Sequence, residues 1–414
     1  MRITINRQYI LFLILFYVFL FNEPLTEYIS VIGYADELLA VLAIPIFCWQ
    51  RLLRKKDLGG TGSAVYIAGF LAIAFLGSLV YQYQDFWTVA LTDALLCVKF
   101  WLCIYSSRVL LSGFRISRFS RAIFWHVKLV IWVFVILTVL NYLRGLFPYN
   151  DYRFGIMSNR LFYGHPASFA SCCSFLMLIL LGIKPHIRNM SFYFVVLLGI
   201  MCTTLRTRAL AAVCLFCALY FLVIVQKKKF SLSSLLPMVP VILLIGWSKI
   251  EYFFISMADA SARAQLLFKS FAVANDHFPF GAGLATYGSY LSAEHYSPLY
   301  YTYGLNNIFG LGENGAFICD SFWPMVLGQT GYFGLIFYFL ALVALAKRIG
   351  VIKKDNLFLY VSALSAFLFL ILESTSTTAF VHPISIPIAM WLGVVFQDHS
   401  ASAVLEDVTE ELHT

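Results

Sequence analysis

The sequence predicts an all-α protein, a polytopic transmembrane helical bundle of about twelve spans with one long loop outside the membrane. Composition is the first reason: hydrophobic residues make up 61% of the 414 residues, charged residues make up 12%, and the mean hydropathy is +0.82. A soluble globule of this composition would be coated in apolar surface. The apolar residues also form runs of span length, and basic clusters alternate between successive loops.

The first apolar run, from Tyr9 to Phe21, is expected to be a span, because no small-residue cleavage site of a secretory signal follows it. Later runs are bounded by charged or turn residues in the same way. The predicted spans are 9–22, 36–49, 64–81, 88–107, 123–141, 166–183, 191–204, 208–225, 233–248, 322–346, 357–372 and 380–396.

The basic residues predict the orientation of the chain. If the N-terminus is cytoplasmic, the inner segments hold nineteen of the 29 lysines and arginines, including the clusters at 51–56, 227–229 and 347–354. This is the bias that the positive-inside rule describes. An even number of spans returns the C-terminus to the cytoplasm, where the acidic segment 397–414 is expected to be a poorly ordered tail.

The predicted outer segment from about Lys249 to Asp320 is far longer than a connection between two spans needs to be, so it is expected to carry function. Within it, residues 258–277 place Leu267, Phe271 and Ala274 at helical spacing and end before Pro279, which predicts an amphipathic helix at the membrane surface. The chain then divides into nine transmembrane helices in 1–248, the long periplasmic loop 249–321, three transmembrane helices in 322–396 and the cytoplasmic tail 397–414.

Besides Lys99 and Lys128, which fall within predicted spans, eight basic residues remain on the outer side, and six of them are arginines. The planar guanidinium matches phosphate oxygens in bidentate fashion and stays charged when partly desolvated. A group of arginines at the outer rim therefore suits a diphosphate headgroup. An arginine at a helix end can also extend to the interface for structural reasons, and Arg144 is expected to be of that kind. The other five are Arg153, Arg160, Arg206, Arg208 and Arg263.

At these positions the sequence resembles the O-antigen polymerase and ligase family over roughly residues 150 to 340. Four segments carry the resemblance. They are Arg153 to Pro166, with ten residues between an arginine and Gly164 and then His-Pro; Thr204 to Ala211, around Arg206 and Arg208; Ser261 to Gly283, with Arg263 before a Pro- and Gly-rich turn; and Asp320 to Gly334. Family ligases often have histidine and asparagine where this chain has Asp320 and Ser321, which favours a polymerase.

The resemblance implies a multi-pass enzyme of the bacterial inner membrane whose active site faces the periplasm. Its donor and acceptor would be oligosaccharides linked to undecaprenyl diphosphate, built into O-antigen, capsule or exopolysaccharide. Besides these substrates, the expected partners are the lipid bilayer and a chain-length regulator protein, with no nucleic acid. No cofactor is expected, and the sequence has no Asp-x-Asp motif, so no metal is required.

The implied reaction is attack of a sugar hydroxyl on an anomeric carbon whose leaving group is the lipid diphosphate. The five arginines are expected to bind the diphosphate, and Arg208 also to act in catalysis by stabilising the charge that develops on it. The hydroxyl needs a base, and the candidates are His165 and Asp320, followed by Glu313 and His277. His165 could instead only precede a span, and Asp320 could only cap one.

Two rival functions remain open from the sequence. A ligase shares the donor and differs in the acceptor. A lipid-linked oligosaccharide flippase would need cations through the membrane depth, where this chain has only Lys99 and Lys128. An ion-coupled transporter is disfavoured, because Asp93 is almost alone as an acidic residue within the spans.

Overall fold

A computed structural model describes residues 6–46, 49, 61–153, 155–188, 190–225, 240, 244, 247 and 251–411. Across these residues the protein is all-α, as the composition predicts, apart from one antiparallel pair of two-residue strands. The helices are α1 (Arg7–Leu20), α2 (Asn22–Thr26), α3 (Ala35–Val41), α4 (Thr61–Tyr81), α5 (Leu91–Leu110), α6 (Ile116–Arg144), α7 (Pro166–Ile183), α8 (Met190–Thr203), α9 (Thr207–Leu219), α10 (Ala262–Asp276), α11 (Tyr290–Glu294), α12 (Pro298–Thr302), α13 (Phe322–Ile352), α14 (Leu357–Glu373) and α15 (Ser385–Glu411), and the strands are β1 (Tyr152–Arg153) and β2 (Ile156–Met157).

Six helical segments within the described residues are long and apolar enough to cross a membrane: Gly62–Tyr81, Phe86–Leu110, Ile116–Arg144, Pro166–His186, Thr207–Val225 and Phe322–Ile352. Each coincides with a predicted span. Three further predicted spans correspond to shorter apolar helices, α1, α8 and α14. The span predicted at 36–49 differs, because helix α3 ends at Val41. Most of the span predicted at 233–248 lies outside the described residues.

Successive long helices run in alternate directions, so their termini collect at two ends of the bundle. At one end, called here the loop end, the start of α13 meets the end of α14, where the Phe322 N–H donates to the Ser374 carbonyl at 3.4 Å. At the opposite end, Asp398 Oδ1 of α15 accepts the Ile116 N–H of α6 at 3.0 Å. The predicted inner clusters lie at this opposite end as far as it is described: Arg7, Arg108, Arg115, Arg118, Arg121, Lys184, Arg188, Lys347, Arg348, Lys353 and Lys354.

The core is apolar and runs through the bundle, where α4 packs on α13, α5 on α15, and α7 on α14. Trp391 of α15 is fully buried, and its indole N–H donates to Ser362 Oγ of α14 at 2.8 Å. That hydroxyl in turn donates to the Leu178 carbonyl of α7 at 2.6 Å. Three helices are thus joined by a hydrogen-bonded chain in which each buried polar group has a partner.

Helix α13 breaks at Gly331, which adopts φ +60° and ψ −166°. The break leaves carbonyls near it without helical partners, and two of them accept hydrogen bonds from the predicted long loop. The Ala282 N–H donates to the Gly328 carbonyl at 3.0 Å, and the Gly283 N–H donates to the Gln329 carbonyl at 2.8 Å. Irregular backbone inside an apolar bundle is stable only when its polar groups are paired.

A buried carboxylate fixes the same junction. Asp93 of α5 is 0% exposed, and its Oδ2 accepts the Ala285 N–H at 2.6 Å and the Gln329 side-chain amide at 2.9 Å. Beside it, Ser78 Oγ of α4 accepts the Leu284 N–H at 2.9 Å. The Gly-rich turn is therefore held by three long apolar helices, α4, α5 and α13.

The predicted amphipathic helix corresponds to α10 (Ala262–Asp276), which packs against α13. Leu266 and Val273 are buried where α10 packs against α13, whereas Phe268 and Phe271 are about half exposed. Of the three residues at the predicted spacing, Ala274 is buried, Leu267 is partly buried and Phe271 is exposed.

The predicted poorly ordered tail is helical through Glu411, since α15 continues past the apolar run. Polar contacts with the α5–α6 connection hold the start of this extension. Gln397 Nε2 donates to the Ser112 carbonyl at 2.6 Å, and Asp398 caps the start of α6. Because the start of this extension is anchored, further residues add to an existing helix and the free-energy cost of nucleation does not recur.

Candidate functional site

The connection between α6 and α7 carries two of the predicted arginines and is fixed by buried amides. Asn159 is 0% exposed, and its Nδ2 donates to Thr138 Oγ1 of α6 at 3.0 Å and to Thr203 Oγ1 of α8 at 3.1 Å. At the end of α6, Asn141 Oδ1 accepts the Phe147 N–H at 2.7 Å. The short β1–β2 hairpin, which contains Arg153, is thereby held against the loop end of the bundle.

Asp151 joins two arginines from different segments. Its Oδ2 lies 2.7 Å from Arg206 Nη2 and 3.4 Å from Arg153 Nε. Arg153 also donates to the carbonyl of Leu205, whose φ of +52° makes the sharp turn between α8 and α9. The tight turn explains why Arg206 and Arg208 occur between two apolar helices: it places both at the rim.

Arg208 lies in the first turn of α9 and pairs with the last residue of α14. Its Nη1 is 2.7 Å from Glu373 Oε2, and the Glu373 side chain is only 4% exposed. About a quarter of the Arg208 side chain is exposed, so part of the guanidinium still faces open space. Glu373, at the end of the apolar helix α14, is thus the carboxylate that pairs with the predicted residue Arg208.

Arg263 pairs with Asp320, the two predicted residues of the long loop. Arg263 Nη2 lies 2.8 Å from Asp320 Oδ2, and both side chains are roughly 70% buried. Ser261 caps α10 and so fixes the start of the helix that carries Arg263. Asp320 is not the cap of α13, because Ser321 occupies that position. The alternative in which Asp320 serves only as a helix cap is therefore wrong.

Arg160 is placed differently from the other four. Its guanidinium donates to the carbonyls of Pro148, Tyr163 and Gly164 at 3.2–3.4 Å and lies 5.0 Å from the centre of the Tyr149 ring. These contacts close the connection between α6 and α7. Among the described residues no carboxylate contacts Arg160, although Tyr149 also hydrogen-bonds to Arg206 and connects the two.

The electrostatic effects of these arginines overlap at His165. Burial, and next the charges of Arg206, Arg208 and Arg153, lower the pKa of His165 to about 4, although Asp151 opposes them. The same Arg208 also acts on Asp320: burial raises the pKa of this carboxyl, while Arg263 and then Arg208 oppose the rise. The charges of Arg153, Arg206 and Arg208 therefore act on His165, those of Arg263 and Arg208 act on Asp320, and Arg208 is common to both.

His165 has one ring nitrogen committed to the start of α7. It caps α7, and its Nδ1 accepts the Ala167 N–H at 3.1 Å. A ring nitrogen that accepts a hydrogen bond carries no proton, so the neutral ring carries its proton on Nε2. The geometry fits donation to a bound anion better than the predicted role as a base.

The arginines at the loop end have positive charge and hydrogen-bond donors that their described partners leave unpaired, so they can bind an anion. The four arginines Arg153, Arg206, Arg208 and Arg263 exceed their three carboxylate partners by one positive charge, and Arg160 beside them adds a second. The Nε atoms of Arg160, Arg206 and Arg263 are buried with no hydrogen-bond partner among the described residues. Buried donors without partners are costly, which favours a ligand that accepts from them. No group of three His, Cys, Asp or Glu residues suited to a metal ion occurs in the described part of the chain.

Sequence analysis did not identify Asp151, Glu373 or Tyr149 as site residues. Glu373 had a usable signal, since it is a lone acid at the end of an apolar run on the side where the arginines gather. The two remaining candidate bases are occupied elsewhere. The exposed Glu313 accepts from the Tyr301 hydroxyl, and both ring nitrogens of His277 are hydrogen-bonded, to Tyr83 and to the Val273 carbonyl.

A scan against models of known protein families finds no match, and a search of curated protein sequences finds none either.

Proposed function

We propose that this protein is a membrane glycosyltransferase, a polysaccharide polymerase that joins repeat units linked to undecaprenyl diphosphate. The observation that carries the proposal is the gathering of Arg153, Arg206, Arg208 and Arg263, from three separate segments, at one end of an apolar helical bundle. These positions lie far apart in the sequence, and no single structural contact explains why all of them hold arginine. Binding of a common anionic ligand would explain it.

The charge of the cluster fits a lipid diphosphate. A diphosphate esterified at both ends carries two negative charges, and the four arginines together with Arg160 exceed their three carboxylate partners by two positive charges. Arginine forks bind such oxygens in bidentate fashion, and their partial burial strengthens the attraction. The carboxylate partners hold the forks in place before the substrate arrives, which is the preorganisation that electrostatic catalysis needs.

The reaction then follows from these groups. The acceptor hydroxyl attacks the anomeric carbon of the donor sugar, the bond from that carbon to the phosphate oxygen breaks, and the lipid diphosphate leaves with the electron pair. Arg208 and its neighbours stabilise the charge that develops on the leaving oxygen. His165 donates its Nε2 proton in a hydrogen bond to the same anion.

The distribution of basic residues supports a periplasmic site. The lysines and arginines of the opposite end form the excess that the positive-inside rule assigns to the cytoplasm. The loop end, which carries the arginine cluster, would then face the periplasm.

Deletion of the gene followed by analysis of the surface glycan tests the proposal. The polymerase account expects single unpolymerised repeats attached to the final acceptor. Full-length chains that remain on the lipid carrier would instead identify a ligase, and an unchanged glycan would contradict both.

A further inference from the structure

A cavity lies beside the arginine cluster, and its lining differs from the cluster in charge. It occupies about 560 Å³ between the end of α1, helix α2, the first turns of α7 and the turn that precedes α15. This volume is in the range of small-molecule binding sites. Its described lining residues include Glu23 and Glu27 but no lysine or arginine.

The lining suits a neutral molecule that carries many hydroxyl groups. Carboxylates accept hydrogen bonds from hydroxyls, and Ser168 can both donate and accept. The rings of Phe19 and Tyr163 add apolar surface for the carbon–hydrogen face of a sugar. Two carboxylates without a cation beside them repel a phosphate. The cavity therefore suits the uncharged acceptor of a sugar-transfer reaction, and the arginine cluster suits the charged leaving group.

Two residues connect the cavity to the cluster. Glu23 Oε1 accepts the Gly164 N–H at 2.8 Å, and the Gly164 carbonyl accepts from Arg160 at 3.2 Å, one residue before His165. From the other side, His382 lines the cavity. The His382 N–H donates to the Thr378 carbonyl at 2.9 Å, within the turn that follows Glu373, the ion-pair partner of Arg208.

We propose that this cavity binds the hydroxyl-bearing acceptor sugar and that Glu23 is the catalytic base; the inference rests on the proposed function. The acceptor oxygen forms the new bond to the anomeric carbon, the bond to the phosphate oxygen breaks, and the hydroxyl proton passes to the Glu23 carboxylate. The lipid diphosphate leaves with its electron pair. No oxidant, reductant or further reactant is required.

The other acid–base groups of the region are committed elsewhere. His165 offers a proton on Nε2 rather than a lone pair, and Asp320 is paired with Arg263. Glu23 is half-buried at the end of the cavity that adjoins Gly164, whereas Glu27 is exposed. Glu23 is thus the carboxylate nearest to the place where the two substrates would meet.

The test uses the full-length protein in lipid vesicles, with two measurements on each variant: binding of labelled undecaprenyl diphosphate, and transfer from a lipid-diphosphate-linked oligosaccharide to an acceptor. Glu23→Gln keeps an oxygen for Gly164 but cannot take a proton. We expect normal carrier binding and transfer slowed by about a hundredfold or more. The matched control, Glu294→Gln on the exposed end of α11, should behave as the wild type.

A second variant, Ser168→Phe, fills the cavity without touching Glu23. It should raise the KM for the acceptor and leave carrier binding unchanged. Should Glu23→Gln bind the carrier and transfer within about tenfold of the wild type, the inference is overturned while the proposed function stands. If Glu23→Gln fails to bind the carrier, Ser168→Phe decides, and an unchanged acceptor KM overturns the inference. A wild-type protein that neither binds the carrier nor transfers sugar overturns the proposed function itself.

Discussion

Arg208 and Glu373 form an ion pair in which each residue occupies the helix end that its charge disfavours. Arg208 lies in the first turn of α9, where the helix dipole is positive, and Glu373 is the last residue of α14, where it is negative. Each placement costs about 0.3–1 kcal/mol. Helix stability therefore does not explain either residue. Their mutual attraction offsets the cost and leaves a guanidinium fixed at the loop end.

Loss of the carboxylate should destabilise the fold. In Glu373→Gln, Arg208 keeps its charge without a charged partner, and the free energy of unfolding should fall by about 1–3 kcal/mol. Thermal unfolding of the purified protein in detergent measures this, with exposed Glu294→Gln as the control. An unfolding midpoint equal to that of the control would show that the pair does not stabilise the fold.

The stability of the fold should depend on pH through His165. The pKa of this ring is lowered from the model-peptide value of 6.5 to about 4, so the folded state favours the neutral form. The resulting stabilisation is fully present above pH 6.5 and is lost as the pH falls from 6.5 towards 4. Asparagine can cap α7 without titrating. His165→Asn should therefore flatten the acid side of a plot of unfolding midpoint against pH, whereas the substitution of exposed His295 by Asn should leave the plot unchanged.

The junction between the Gly-rich turn and the broken helix should tolerate no added side chain at Gly283. Its φ is +96°, and a Cβ there would lie 2.7 Å from the Ser78 backbone. Gly283→Ala should cost at least about 1–3 kcal/mol and lower the amount of folded protein in the membrane. Helical Gly199 has open space around it, so Gly199→Ala is the matched control. Equal folded amounts of the two variants would contradict the described packing.

Transfer should proceed without a divalent metal, because arginines supply the neutralisation of the leaving diphosphate. Activity in vesicles should be unchanged by an excess of chelator. A loss that magnesium or manganese restores would show that the arginine cluster is not sufficient.

The sequence predicts the helical class because composition and apolar runs reflect the solvent directly. It also predicts Arg153, Arg208 and Arg263, since isolated cations between apolar spans stand out. It does not predict their pairing with Asp151, Glu373 and Asp320. Arg208 and Glu373 are 165 positions apart, and only the packing of α9 against α14 brings them together.

The break in α13 also escapes prediction. The run from Gly328 to Gly334 has the composition of an ordinary span, and a helix was expected throughout it. The break depends on the turn around Gly283, whose amides satisfy the carbonyls that the helix leaves free. Hydrogen bonds between segments so distant in the sequence leave no local pattern.

The central claim is that Arg153, Arg208 and Arg263 recognise one diphosphate through their guanidinium forks. Lysine keeps the charge and loses the fork. The most direct measurement is the transfer rate of the three single Arg→Lys variants in vesicles, with Arg144→Lys at the exposed end of α6 as the control and the membrane amount of each protein recorded. The account predicts that each of the three is slowed by roughly ten- to a hundredfold, as expected for the loss of one charged hydrogen bond, while the control is not. Three lysine variants present at normal amounts and transferring sugar as fast as the Arg144→Lys control would contradict it.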